Sequence, residues 1–195
     1  MKIYLIDINK QMVDAWKIAF KDFPEVGIIN DTFENFMNIT SHIDGIVSPA
    51  NSFGLMDGGY DKAIIDYFGK YAQHLVSNYI LEYHKGYQPV GSCSAIDIGM
   101  NRYILHTPTM RIPSKIEDHS IIFDCMMSCL CKASNLNLKA IVIPAFGACT
   151  GGVPKDIVAK YMAFAYFVFK NKSNLNNWEF ASYIKKELNN IMSIE

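Results

Sequence analysis

Two glycine-rich stretches carry the residue types and the spacing that can hold a charged ligand. The first is VSPANSFGLMDGGYDKAI, from Val47 to Ile64, and the second is IPAFGACTGGVPKD, from Ile143 to Asp156. Their glycines can take a positive φ and bring the main chain close to a ligand. The helix expected after each stretch would offer free N–H groups and a partial positive charge. The pattern predicts two phosphate-binding loops, and two facing loops would suit a pyrophosphate.

Glycine-rich turns also occur where a chain simply reverses, so each stretch has a purely structural alternative. Neither has the Lys-Ser/Thr ending of a P-loop or the GxGxxG spacing of dinucleotide-binding proteins. Their only basic residues are Lys62 and Lys155. The expected binding mode therefore relies on main-chain groups more than on side-chain charge.

The elements that must position these loops follow from hydrophobic periodicity. Strands are predicted at residues 3–6, 26–29, 45–47, 89–96, 103–107 and 140–143. Helices are predicted at residues 12–20, 60–83, 116–133, from 154 onwards, and at 180–191, with a polar loop at 171–177. This alternation indicates a largely parallel sheet covered on both faces. Both glycine stretches leave strands at their carboxyl ends, where open α/β sheets bind ligands.

Composition sets the class of protein. The chain has 195 residues, half of them hydrophobic, and 18 basic residues against 19 acidic ones. One domain is expected, and the balanced charge argues against general nucleic-acid binding. The N-terminus is a poor signal peptide and no apolar run approaches the roughly 20 residues of a membrane span. The cysteines lack zinc-ligand spacing, and Cys125, Cys129 and Cys131 are expected as reduced, buried thiols in a cytoplasmic protein.

The order of several short motifs resembles the macro domain family. These motifs are Ala50-Asn51-Ser52, Gly58-Gly59, Asp61, Pro89-Val90-Gly91, the strand end Ile104-Leu105-His106-Thr107, Pro144, Gly147, Gly151-Gly152 and Pro154. The resemblance covers about residues 1–170. It implies a three-layer α/β/α fold with a mixed central sheet and a cleft for ADP-ribose. Residues 1–195 would then form a single macro domain, with 171–195 as an appended loop and helix.

The resemblance also implies which residues contact the ligand. The second stretch would wrap the diphosphate and the distal ribose, and Asn51 would contact that ribose. Asn30-Asp31-Thr32-Phe33 is similar to the family's Gly-Asp-Ile-Thr pattern, whose aspartate accepts a hydrogen bond from adenine; a helix N-cap is the alternative role for Asp31. The expected ligand-binding residues are Asp31, Thr32, Ala50, Asn51, Gly58, Gly59, Phe146, Gly147, Ala148, Cys149, Thr150, Gly151, Gly152 and Val153.

Asp61 and Asn51 are the candidate catalytic residues that the resemblance implies. Asp61 falls where the hydrolytic branch of the family carries an aspartate, which helps water to attack the anomeric carbon of the distal ribose. A first-turn acid favoured by the helix dipole is the equal alternative. The histidine that often follows in that branch is absent, since Ile65 and Asp66 stand there. His106 is expected to be structural.

Two functions are compatible with these residues. One is hydrolysis at the distal ribose of ADP-ribosylated protein, phosphorylated ADP-ribose or an acylated form, and the resemblance implies no metal or cofactor for it. The other is a non-catalytic reader or sponge of ADP-ribose-type nucleotides. Phe53 and Phe146 are open to two roles, lining the ribose or adenine and packing in the core or rim. Cys149 is expected to be inert, and Asp57 is either solvated or a second acid.

Overall fold

The computed structural model describes residues 1–171 and 177–193 of the chain. In these residues six strands form one sheet: β1 (Lys2–Ile6), β2 (Val26–Ile29), β3 (Gly45–Ser48), β4 (Ser94–Gly99), β5 (Arg102–His106) and β6 (Ala140–Pro144). The helices are α1 (Lys10–Ala19), α2 (Phe33–Ile39), α3 (Gly59–Phe68), α4 (Lys70–His84), α5 (Ile121–Asn135), α6 (Lys155–Lys170) and α7 (Trp178–Met192).

The sheet is mixed, as expected. Its order is β2-β1-β6-β3-β5-β4, and all of these strands run parallel except β4, which is antiparallel to β5. The central strands β3 and β6 are buried along their whole length. This is typical of parallel strands that are covered on both faces, and it explains why their sequences are apolar without alternation.

Helices cover both faces of the sheet and complete the three-layer α/β/α fold that the sequence predicts. On one face α1, α5 and α6 pack around Trp16, Cys129 and Tyr161. On the other face α2, α3 and α4 pack around Phe36 and Val76. Among the described helices, none is long and apolar enough to cross a membrane.

The last helix, α7, packs back on the body of the protein, as its amphipathic sequence predicts. Its apolar residues recur at helical spacing and lie against the α1/α5/α6 side of the core: Phe180, Ile184, Leu188 and Ile191. The Tyr161 hydroxyl donates to the main-chain carbonyl of Leu188 (3.4 Å). The polar loop predicted at 171–177 falls largely on residues 172–176, which lie outside the described part of the chain.

Two predicted elements of the middle of the chain are wrong in extent. The helix predicted at 60–83 is two helices, because Gly69 between α3 and α4 has a φ of +87°, which no helical residue takes. The strand predicted from residue 89 starts at Ser94, because residues 89–92 form a turn in which Ser92 N–H donates to Pro89 O (3.2 Å).

Two helices also differ from the sequence-based prediction. The helix α2 was not among the predicted helices. The helix predicted from residue 116 begins at Ile121, because the preceding residues are held by the second glycine stretch: Ile116 N–H donates to Gly151 O (2.9 Å).

The expectation that the three clustered cysteines are buried is correct for two of them. Cys125 and Cys129 are buried, whereas Cys131 is exposed. Residues 125 and 129 are one helical turn apart and share the core-facing side of α5, but residue 131 lies about 200° further round the helix than 129.

Candidate functional site

The two glycine stretches leave neighbouring strands at the same edge of the sheet. The first loop (residues 49–58) connects β3 to α3, and the second loop (residues 145–154) connects β6 to α6. Because β3 and β6 are parallel neighbours, the two loops begin side by side. The carboxyl ends of parallel strands are where ligands bind in open α/β sheets. The topology therefore brings together the two stretches that the sequence marks as anion-binding.

The main chain of the second loop folds back on itself and leaves a row of amides free. Gly147 and Gly152 have φ values of +73° and +68°, in the left-handed region that favours glycine. The N–H groups of Gly152 and Val153 donate to the carbonyl oxygens of Cys149 (3.0 Å) and Gly147 (3.1 Å). Within the described residues, the N–H groups of residues 148–151 donate to no main-chain carbonyl. A run of free amides of this kind is an anion-binding nest.

The side chains of the second loop point in different directions. Phe146 and Val153 are buried in the core, so of the two roles open to the Phe146 ring, the structure shows core packing. Ala148 is half-buried, whereas Cys149 and Thr150 are exposed at the tip. Cys149 is therefore exposed, contrary to the expectation that its thiol is inert because it is packed against other residues. The accessible groups at the tip of this loop are mainly main-chain atoms, with one thiol and one hydroxyl beside them.

Asn51 holds the first loop in shape. Its side-chain carbonyl accepts hydrogen bonds from the N–H groups of Phe53 (3.0 Å) and Leu55 (3.3 Å), and its amide nitrogen donates to the carbonyl of Leu55 (2.8 Å). The residue is 6 % exposed. A side-chain amide nitrogen carries two hydrogens, so one N–H of Asn51 remains for a ligand.

Both helices that follow the loops begin without a side-chain cap. The N-caps of α3 and α6 are Gly58 and Pro154, neither of which provides a capping hydrogen bond, whereas α1 and α2 are capped by Asn9 and Thr32. Gly59 has a φ of +55°, and the space next to its Cα is open. The first amides of α3 and α6 thus keep their capacity to bind an anion.

Asp61 lies in the first turn of α3 and is buried beneath the first loop. It is 9 % exposed, and its Oδ1 accepts a hydrogen bond of 2.6 Å from the Ser48 hydroxyl. Burial raises the pKa of Asp61 to about 7; the Ser48 hydrogen bond opposes this and the charge of the exposed Asp57 adds to it. The carboxyl group is therefore poised between its two protonation states near neutral pH.

Two further buried groups surround this carboxylate, and neither was a sequence-based candidate for the chemistry. His106 is the residue opposite Ser48 on the neighbouring strand β5, with Nδ1 3.5 Å from Ser48 Oγ. Burial lowers the pKa of His106 to about 4, so the ring is neutral at pH 7. Burial, and then the charges of Asp61 and Asp7, raise the pKa of Tyr60. The sequence could have pointed to Ser48 and His106 through their position alone. Both are the last residues of adjacent strands, at the sheet edge where ligands bind in α/β proteins.

Asp31 lies at the far end of the same sheet edge, after β2. Its Oδ1 accepts from the Thr32 N–H (2.7 Å) and from the Asn35 side-chain amide (2.9 Å). The N-cap of α2 is Thr32, whose hydroxyl accepts from the Asn35 N–H (3.2 Å). The alternative role of Asp31 as the N-cap is therefore wrong, and its other carboxylate oxygen has no protein partner among the described residues.

Asp7 lies between Asp31 and the second loop, directly after β1, and sequence reasoning missed it. Burial raises its pKa, with the Asn9 main chain and the charge of Lys155 acting in the opposite direction. Adjacent strands are about 4.8 Å apart, so β2 and β6 are roughly 10 Å apart across the edge. Along this edge lie the Asp31 carboxylate first, then the Asp7 carboxylate, and then the two glycine loops.

One irregular segment ties both loops together. This bridging segment (residues 107–120) connects β5 to α5. At one end the N–H of Ser52 in the first loop donates to the carbonyl oxygens of Met110 (3.1 Å) and Arg111 (3.2 Å). At the other end Ile116 N–H donates to Gly151 O in the second loop (2.9 Å).

Two surface hollows elsewhere in the described residues contain no residue of either loop. A hollow of about 480 Å³ lies beside Gly91, Asp124 and Cys131, and another of about 490 Å³ lies between α7 and residues 117–120. In the part of the chain that the structure describes, no three His, Cys, Asp or Glu side chains are grouped as metal ligands.

The family model described as Macro domain matches residues 47–162, a span that starts in β3, ends in α6 and contains both loops. The chain belongs to the macro domain family. Two relatives of this macro domain are uncharacterized proteins of Aquifex aeolicus and Saccharolobus solfataricus. They are each 31 % identical, over 121 and 134 residues, which are 61 % and 67 % of this chain and 70 % and 72 % of theirs.

Solved structures share the fold of this macro domain at lower identity. The macrodomain of Thermus aquaticus DarG is 19 % identical, with a TM-score of 0.55 over 65 % of this chain and 83 % of that one. An Oceanobacillus iheyensis macrodomain with ADP is 17 % identical, with a TM-score of 0.55 over 78 % and 86 %. A mutant of the same macrodomain with ADPR is 19 % identical, with a TM-score of 0.54 over 65 % and 71 %.

Proposed function

We propose that this macro domain binds ADP-ribose or a close derivative across its two glycine loops and hydrolyses a bond at the distal ribose. The proposal rests on one observation: the second loop, with its free main-chain amides, and the first glycine loop begin on neighbouring parallel strands. Each leads into a helix whose N-terminus has no side-chain cap. A diphosphate between the loops would receive hydrogen bonds from both sides and the favourable ends of two helix dipoles.

The positions of the adenine and the distal ribose in this proposal follow from the order of residues along the sheet edge. With the diphosphate on the second loop, the adenine would extend along the edge towards Asp31, whose free carboxylate oxygen would accept from the exocyclic amine. The distal ribose would extend the other way, to Asn51 and the first turn of α3. The similar structures that carry ADPR and ADP support an adenine nucleotide over a simple phosphate.

Hydrolysis would use Asp61 as the general base. Water attacks the anomeric carbon of the distal ribose, and Asp61 accepts a proton from that water. The bond between the anomeric carbon and the substituent breaks, and the substituent leaves with the electron pair, either as an anion or after taking a proton from solvent. A base works best when its pKa lies near the working pH, and the pKa of Asp61 is about 7. Asn51 would orient the ribose with its remaining N–H. The substituent is an amino-acid side chain of a modified protein, an acyl group or a phosphate.

A reader without catalysis is the second candidate, and two observations favour it. Most of the hydrogen-bonding capacity of Asn51 is used inside its own loop, and Asp61 is buried and bonded to Ser48. In this function the same loops would bind ADP-ribose, and no water would be activated.

Calorimetric titration tests the binding. We expect ADP-ribose to bind in the micromolar range, roughly −7 to −9 kcal/mol. AMP should bind much more weakly, because it lacks the diphosphate and the distal ribose that the two loops would hold. Equal affinities for AMP and ADP-ribose would contradict the role of the loops.

Single-turnover release of ADP-ribose tests the hydrolysis. Wild type and Asp61→Ala are compared on ADP-ribosylated protein, with acylated and phosphorylated ADP-ribose as further substrates. Loss of a positioned general base should slow release by about 100-fold or more, with little change in affinity, since the base acts mainly in the transition state. Equal rates would exclude Asp61 from catalysis, and no release by wild type from any of these substrates would favour the reader.

A further inference from the structure

A buried chain of three polar side chains lies beneath the first loop. The Ser48 hydroxyl is 2.6 Å from Asp61 Oδ1 and 3.5 Å from His106 Nδ1. Ser48 and His106 are completely buried, and Asp61 is nearly so. The other ring nitrogen of His106, Nε2, has no hydrogen-bond partner in the described part of the protein. The three side chains come from three different elements, β3, α3 and β5.

The direction of these hydrogen bonds follows from counting protons. A serine hydroxyl has one hydrogen and two acceptor lone pairs. When Asp61 is ionised, its oxygen can only accept, so the hydrogen of Ser48 points towards Asp61 and a lone pair of Ser48 faces His106. An attractive contact then requires a hydrogen on Nδ1. The ring is neutral at pH 7 and so carries one hydrogen. With that hydrogen on Nδ1, Nε2 is an acceptor. A buried acceptor without a partner costs less free energy than a buried N–H without a partner.

We propose that Ser48 and His106 are positioning residues for Asp61: His106 Nδ1–H donates to Ser48, Ser48 donates to Oδ1 of Asp61, and Oδ2 is left as the oxygen that receives a proton. The catalytic consequence rests on the proposed hydrolysis, but the hydrogen-bond chain itself does not. Neither residue touches the substrate in this arrangement. Their effect is to fix the orientation of the carboxyl group and to favour its ionised form.

The surroundings of Asp61 disfavour its ionised form, which is why the hydrogen-bond chain matters. Burial has the largest effect, and the negative charge of Asp57 on the first loop adds to it. Tyr60 on α3 is uncharged, since burial and the charges of Asp61 and Asp7 raise its pKa. On the β5 side, burial lowers the pKa of His106, a hydrogen bond with the Asn51 main chain opposes this, and repulsion from His84 on α4 adds to it. Among these described neighbours, Ser48 provides the stabilising hydrogen bond to the ionised carboxylate.

The wild-type protein gives the first test, without ligand or substrate. Nitrogen-15 NMR of labelled histidine reports which ring nitrogen carries the hydrogen. We expect His106 as the neutral Nδ1–H tautomer at pH 8, where Asp61 is ionised. An Nε2–H tautomer at pH 8, or a positively charged ring at that pH, would overturn the proposal.

Carbon-13 NMR of labelled aspartate gives the second test, with Asp61→Asn identifying the resonance. In Ser48→Ala the midpoint of the Asp61 titration should rise by about 1 to 2 pH units, because a hydrogen bond to the ionised form is lost. Ser128→Ala is the control: the Ser128 hydroxyl donates to the main-chain carbonyl of Cys125 on α5 and contacts none of the three residues of the chain. It should leave the Asp61 midpoint unchanged. An unchanged midpoint in Ser48→Ala would overturn the proposal.

Two histidine substitutions cover the case in which Ser48→Ala fails to fold. In His106→Asn the amide nitrogen can occupy the position of Nδ1, whereas the longer side chain of His106→Gln reaches that of Nε2. We expect the Asp61 midpoint of His106→Asn to stay within about 0.5 pH unit of wild type and that of His106→Gln to rise. The opposite ranking would contradict the assigned tautomer.

The pH profile of single-turnover release separates this proposal from the proposed function. In Ser48→Ala the release should be slower at pH 7 by about 10-fold and should recover towards the wild-type rate at pH 9. Loss at both pH values would overturn the positioning role. If wild type releases nothing, the proposed hydrolysis is wrong, while the two NMR titrations still decide whether the hydrogen-bond chain exists.

Discussion

Gly151 lies so close to Gly147 that a Cβ atom at Gly151 would stand 2.6 Å from the Gly147 carbonyl oxygen. That oxygen is fixed, because it also accepts the hydrogen bond from the Val153 N–H. Even the smallest side chain at position 151 therefore forces the main chain of the second loop to move. The free amides of this loop keep their arrangement only while glycine occupies position 151.

The first prediction concerns this close approach. Gly151→Glu should abolish ADP-ribose binding, because its side chain displaces the loop and its charge repels the diphosphate. Calorimetry on the folded variant is the measurement. Gly27→Ala is the control: a Cβ atom at Gly27 would stand 2.6 Å from Tyr4 Cδ1, as crowded as at Gly151, but Gly27 lies in β2 and in neither loop. It should lose stability and bind normally. Full affinity in folded Gly151→Glu would put the ligand elsewhere.

The second prediction concerns the adenine end of the site. Asp31→Ala should weaken ADP-ribose binding by about 1 to 3 kcal/mol, the range for a hydrogen bond to a charged group. The melting temperature should change little, because Thr32 remains as the cap of α2. Asn35→Ala removes the neighbour that donates to Asp31 but keeps the carboxylate, so it should bind nearly as wild type. Unchanged affinity in Asp31→Ala would mean that Asp31 does not contact the adenine. Asp7 would then be the next carboxylate to test by substitution.

A third prediction uses the exposed thiol at the tip of the second loop. ADP-ribose should slow the alkylation of Cys149 by iodoacetamide, since the ligand would cover the free amides beside it. Cys131 is also exposed, on α5 and away from both loops, so its alkylation should not respond to the ligand. Peptide mass spectrometry resolves the two sites in one sample. Equal protection of both thiols, or of neither, would contradict the proposed position of the diphosphate.

The fourth prediction concerns stability and pH. The pKa of Asp61 is about 7 in the folded protein against 3.8 for an ordinary aspartate. Between these values the folded state holds a proton that the unfolded state releases, so Asp61 lowers stability as the pH rises and its cost is complete above about pH 7. Asp61→Asn should therefore increase the free energy of unfolding at pH 8 by up to about 4 kcal/mol, with little gain near pH 4.

Urea unfolding at pH 4 and pH 8 measures this difference. Asp66→Asn is the control, because Asp66 is exposed and paired with Lys62 on the outer surface of α3, and it should show no comparable gain at pH 8. A gain for Asp61→Asn that is equal at both pH values would mean that the carboxyl group is not titrating between them.

The sequence predicts the layers of the fold and the two loops well, because both depend on local properties. Short apolar strands, amphipathic helices and glycines after strands are visible in the residue order itself. The missed helix break at Gly69 is a different case. A single glycine in a helical pattern is often tolerated, so the residue order alone does not reveal the φ of +87° that ends α3 at Gly69.

The parts of the site that were not predicted depend on contacts between distant residues. Ser48 and His106 are 58 positions apart, and their contact follows from the pairing of β3 with β5. The direction of a side chain is equally inaccessible in the sequence. Asn51 turns into its own loop and Phe146 turns into the core, although both residue types would suit a ligand surface. Asp7 was missed because its position beside the second loop depends on the order of strands in the sheet.

The bridging segment, residues 107–120, makes the two loops one mechanical unit. It donates to Gly151 through Ile116 and accepts from Ser52 through Met110 and Arg111, so neither loop can detach without disturbing the segment that holds the other. Local opening in a protein occurs in cooperative units of this kind. Amide hydrogens of the two loops should then exchange with solvent in the same opening event, and pyrophosphate, which would occupy only the diphosphate position, should slow exchange in both loops together.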